Sequence, residues 1–93
     1  MSDNDLQIQK SIPQILVVDD ELINRSILRK FLSSRAQILE AEDGYQALER
    51  ASSETDLVLL DLMMEGIDGI EVCRRLKNRP DTQEVPVLSL IHI

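Results

Sequence analysis

A chain of 93 residues holds one domain at most, and its 43% hydrophobic content supplies one modest core rather than wholesale disorder. A formal net charge of −7 argues against a nucleic-acid surface, which needs clustered Lys and Arg to displace counterions. The single cysteine, Cys73, excludes an internal disulfide; with no signal-peptide pattern at Met1–Asp5 and no apolar run near the ~20 residues of a membrane helix, a soluble cytoplasmic domain is expected.

Residues 1–13 are polar and aperiodic and end at Ile12-Pro13, so they are expected to form a flexible leader to a domain over 14–93. Gln14 to Glu21 reads as a buried strand, Ile15 to Val18, terminated by Asp19, Asp20 and Glu21. Ile23, Ile27, Leu28 and Phe31 then recur at helical spacing, with Arg25, Arg29 and Lys30 between them, which predicts an amphipathic helix. An acid near its start, Asp20 or Glu21, suits the helix dipole. Gln37 to Ala41 is a second strand. Asp43-Gly44 makes a turn into a short helix from Tyr45 to about Ser52, with Ala47, Leu48 and Ala51 on one face.

Leu57 to Leu60 is another unbroken apolar run, suited to a strand buried on both faces. An unpaired buried charge is costly, so Asp61 belongs where the strand leaves the core. Loop signals follow in Glu65-Gly66-Ile67-Asp68-Gly69. Ile70, Cys73 and Leu76 mark a third helix ending near Asn78, before Pro80. Val85 to Leu90 is the fourth strand, and the sequence stops three residues later.

The order βαβαβαβ, with crossovers long enough for parallel pairing, builds an open doubly wound α/β sheet with right-handed connections. Ligands of such sheets gather beyond the carboxyl ends of the strands. If the first and third strands are neighbours, Asp19, Asp20 and Asp61 converge there. Two carboxylates about 4 Å apart repel by roughly 4 kcal/mol at an effective dielectric of 20. Three together must hold protons or recruit a cation, and Mg²⁺ with its preference for oxygen ligands is the natural candidate. It would also cancel the charge that repels a phosphoryl group, and an aspartate can then act as nucleophile. The plainer alternative is three helix-capping or solvated acids.

Val17-Val-Asp-Asp-Glu21, Glu42-Asp-Gly44 with Ala47-Leu48, Leu59-Leu-Asp-Leu-Met-Met64 with Asp68-Gly69, and Val85-Pro-Val87 occur in that order. Together they resemble the response-regulator receiver domain of two-component signalling, from about Gln14 to Val87. The resemblance implies a flavodoxin-like sheet of order 2-1-3-4, incomplete because the fifth strand and last helices are missing. It implies that Asp61 accepts a phosphoryl group from a sensor histidine kinase or histidine phosphotransfer protein. It implies that Asp19 and Asp20 supply the acidic Mg²⁺ pocket, with Asp20, Asp61 and the backbone carbonyl of Met63 as direct ligands. It implies a signalling module rather than an enzyme. The alternatives are a non-phosphorylated interaction domain and an aspartate-nucleophile phosphatase. The latter usually carries a second acid two residues after the nucleophile, where this chain has Met63.

The chain departs from the pattern in three places. Glu65 stands where the family usually has Pro. The Thr or Ser expected to bond the phosphoryl group falls at Ile91, with Ser89 two residues early. The family's phosphate-pairing Lys lies beyond the last residue. Leu88 to Ile93 also resembles the translation of a transposon end used in sequencing libraries, so the gene is expected to continue differently after Val87, which independent genomic sequencing checks. A fourth strand ending the sheet would be an apolar edge open to self-association. Asn24 and Arg25 either border the site or lie on a solvated helix face. Cys73 reads as core, and His92 lacks the Cys or His partners of a metal site.

Overall fold

The computed structural model describes residues 12–90. Its elements are β1 (Gln14–Val18), α1 (Leu22–Leu32), β2 (Gln37–Ala41), α2 (Gly44–Arg50), β3 (Leu57–Asp61), α3 (Gly69–Lys77) and β4 (Val87–Leu90). The strands form one sheet in the order β2-β1-β3-β4, and every pair is parallel. This is the flavodoxin-like order that the resemblance implies. β1 lies between β2 and β3, and its Val18 pairs with Leu60 at the carboxyl end.

Alternation along the strands divides the core in two. On one face, Leu16, Val18, Val58 and Leu60 meet Ala47 and Ala51 of the α2 segment and Val72 and Leu76 of α3. On the other, Ile15, Val17, Ile38 and Leu59 meet Ala36, with Leu28 and Leu32 of α1 packed against them. Among the described residues, helices therefore cover both faces, α1 alone on one of them.

The helix starts are chemically specified. Asp43 caps α2, its Oδ1 accepting from the Gln46 amide at 2.7 Å. Asp68 caps α3 in the same way, accepting from the Glu71 amide at 2.8 Å. Each satisfies one of the donors left free in a first helical turn. Arg79 closes the far end of this layer, donating to the carbonyls of Leu48 (2.6 Å) and Ala51 (2.9 Å).

Three sequence expectations need correction. Of Ile23, Ile27, Leu28 and Phe31, only Leu28 packs on the sheet; Ile23 and Phe31 are 71% and 75% exposed. The inward face of α1 instead carries Arg25, Leu28 and Leu32. Arg25 is drawn in by its hydrogen bonds, which turns the Ile23–Ile27–Phe31 stripe outward. In α3 the buried residues are Val72 and Leu76 with Cys73 half-buried, whereas Ile70 is exposed. The register of that helix is set by Asp68, which places Ile70 in an outward first turn. Finally, β4 begins at Val87, because Pro86 has no amide to donate and joins the ladder only through its carbonyl, which accepts from Val58 at 3.0 Å.

Candidate functional site

Adjacent parallel strands in register deliver their next residues side by side, so Asp19 after β1 stands beside Asp61 at the end of β3. Asp19 is fully buried, Asp61 is 4% exposed, and Asp20 faces solvent. Carboxylate oxygens of all three lie within 4.8 Å of one another. Asp61 lies at the carboxyl end of its strand as expected, yet it remains buried there. Its Oδ1 accepts from the Met63 amide at 2.9 Å, and Asp19 Oδ1 accepts from the Glu21 amide at the same distance. Both acids thus use a two-residue turn to fix the carboxylate orientation.

The donor set fits a hard cation. All three side chains offer oxygen, and opposite ligands of Mg²⁺ stand about 4.2 Å apart, twice a bond of about 2.1 Å. Separations up to 4.8 Å are thus close to what one ion spans. The exposed Asp20 leaves a route for an ion to enter, while Asp19 and Asp61 form the buried floor.

The loop after Asp61 is held by a close approach. A Cβ at Gly69 would meet Leu62 Cα at 2.7 Å and the Asp61 carbonyl oxygen at 2.8 Å, so only glycine lets α3 start against the end of β3. Gly66 supports the same loop with φ +83°, a conformation that side chains disfavour. Met64 is buried beneath the loop and Met63 is 86% exposed, so the Met63 side chain takes no part in the core.

A second polar group backs the pocket. Arg25 Nη1 donates to the Asp19 carbonyl at 2.7 Å, and its Nε donates to Glu40 Oε1 at 3.1 Å. Glu40 Oε2 accepts from Arg29 Nε at 2.7 Å. Burial pushes the Glu40 carboxyl up, but hydrogen bonds and charge from Arg29 and Arg25 outweigh it and hold the group below the usual glutamate range. Glu40 and Arg29 carry no motif signal. The available hint is a glutamate inside an apolar strand opposite arginines spaced i, i+4.

Other expected positions fall outside this cluster. Asn24 is half-buried on α1, and Ser89 is exposed on β4, where it pairs with Leu60. Ile91, His92 and most of the leader lie outside the described residues.

The sequence model of the response regulator receiver domain matches residues 15–92. Similar curated proteins include the transcriptional regulatory protein ResD of Bacillus subtilis (strain 168), 43% identical over 84 residues. Response regulator MprA of Mycobacterium ulcerans (strain Agy99) is 46% identical over 79 residues. These alignments cover 88% and 83% of this chain but 34% and 33% of the relatives. The chain thus spans about a third of the length of the curated relatives it matches. Among solved structures, the N-terminal domain of a response regulator receiver protein from Methanoculleus marisnigri JR1 is similar with a TM-score of 0.79 and 39% identity. That match covers 84% of this chain and 65% of the other. The signal receiver domain of a DNA-binding response regulator from Colwellia psychrerythraea 34H gives 0.74 and 32%, covering 83% and 66%.

Proposed function

The chain belongs to the response-regulator receiver family, and from that premise we propose that Asp61 accepts a phosphoryl group from a phosphohistidine. The donor is a sensor histidine kinase or a histidine phosphotransfer protein, and the setting is phosphorelay signal transduction in the cytoplasm. The observation that carries this reading is the meeting of Asp19, Asp20 and Asp61 at one rim of the sheet. An acid at the tip of a buried strand, fixed by its own turn, suits a nucleophile.

In the proposed transfer an Asp61 carboxylate oxygen attacks phosphorus. A P–O bond forms as the P–N bond to the donor imidazole breaks, and the imidazole leaves with a proton from solvent. The Met63 amide orients the carboxylate throughout. Asp20, Asp61 and the Met63 backbone carbonyl would hold Mg²⁺ directly, and Asp19 would supply the buried acidic wall. The cation, when bound, neutralises charge that would otherwise repel the phosphoryl oxygens. The less favoured alternative is an aspartate-nucleophile phosphatase, whose second acid usually stands where this chain has Met63.

Labelling with acetyl phosphate tests the reading. Stoichiometric, Mg²⁺-dependent incorporation that is lost with EDTA and in Asp61→Asn supports it. Mg²⁺ binding without any acyl phosphate selects a non-phosphorylated interaction module instead, and rapid turnover of many phosphate esters selects a phosphatase.

A further inference from the structure

Arg25 stands one helical turn past the acids but points into the molecule, with its side chain 11% exposed. Its planar fork is held at two points, the Asp19 carbonyl and Glu40 Oε1. Glu40 is itself fixed from a second side by Arg29. The carbonyl that Arg25 grips belongs to the peptide joining Asp19 to Asp20. The amide on the other side of Asp19 donates to the Ala41 carbonyl at 3.0 Å. The backbone entering the acidic pocket is therefore clamped before and after Asp19.

We propose that Arg25 is a positioning residue for the acidic pocket: it sets the Asp19–Asp20 peptide, and Glu40 with Arg29 sets Arg25. The proposal rests on the reading of Asp19, Asp20 and Asp61 as a cation site. Two effects of Arg25 oppose each other there. Its charge disfavours a cation nearby, whereas its grip holds the acids in place. Glu40 lies 3.1 Å away and offsets the charge, so the grip decides the sign.

The test compares Arg25→Met with the charge-balanced double variant Arg25→Met/Glu40→Met, using Mn²⁺ alone as the probe and electron paramagnetic resonance to count free ion. The expected result is weaker binding by about tenfold in both, the size seen when groups that orient metal ligands are removed. Arg25→Lys, which keeps the charge but not the planar two-point fork, should lose a few-fold and provides the measurement if the larger changes prevent folding. Tighter binding in Arg25→Met with wild-type binding in the double variant would mean that only charge matters, and overturns the proposal. Unchanged binding in all three variants overturns it too.

A second readout needs no metal. Amide hydrogen exchange at Glu21, whose donor bonds Asp19 Oδ1, should quicken in Arg25→Met while that at Met63, bonded to Asp61, stays as it was. Equal exchange at Glu21 in wild type and variant overturns the clamp. Absence of Mn²⁺ binding by the wild-type protein instead removes the cation-site reading, and the exchange result still decides whether Arg25 orders this backbone.

Discussion

On one side of the sheet, Leu16, Val18, Val58 and Leu60 lie beneath two capped helices whose contacting residues are almost fully buried. On the other, among the described residues, Ile15, Val17 and Leu59 lie beneath α1 alone, and no residue of that helix is buried. Leu22, Ile23, Ile27 and Phe31 stand 48–75% exposed there. The same alternating strands feed both sides, so the difference lies in what covers them. A sheet strand can be chemically ready for burial on two faces and still receive unequal cover.

The contrast is sharpest in core truncation. Leu76→Ala, on the covered side, should cost about 2–5 kcal/mol in urea unfolding. Leu28→Ala, half-buried against the other side, should cost less, about 1 kcal/mol. Equal losses at the two positions would break the distinction.

Next in size is Gly69→Ala, which forces a methyl against the Leu62 and Asp61 backbone. An overpacking penalty of about 1–3 kcal/mol is expected, together with weaker Mg²⁺ binding, since the loop carrying Met63 must move. Thermal unfolding and a Mg²⁺ titration on one sample check both.

The open side also predicts association. Among the described residues, β4 pairs only with β3 and presents Leu88 at 55% exposure. Such an edge invites pairing with a second copy. Sedimentation should show mass rising with concentration, reduced in Leu88→Lys. A sharp, concentration-independent unfolding transition of a monomer would refute this.

The smallest effect concerns pH. With its folded-state pKa depressed, Glu40 contributes its full stabilisation above the unfolded value of about 4.3 and loses it as pH falls through the lower folded value. In that window the unfolded chain binds more protons, so stability rises with pH. Glu40→Gln should flatten this acid limb and leave the slope near neutrality unchanged, as measured by urea midpoints from pH 3 to 7, a range set about the glutamate value.

The convergence of the three acids is legible because its signals are local. The apolar runs before Asp19 and Asp61 mark two buried strands, and the acids that end them mark their tips. The helical faces were harder. Ile23, Ile27 and Phe31 follow i, i+4, i+8 spacing and read as a core stripe, whereas the true inward face includes an arginine. Periodicity reports that a face is apolar, not which direction it looks, and Arg25 turns inward only because Asp19 and Glu40 are brought together by the sheet. Gly69 reads as no more than a turn residue for a related reason. Its contact is with a strand end rather than with its own neighbours in sequence.

That contact has a mechanical side. With nothing but a hydrogen between the start of α3 and the Asp61 peptide, the acid has no slack in the direction of the helix. A shift of the Asp61 main chain in that direction would meet the first turn of α3 before it met solvent.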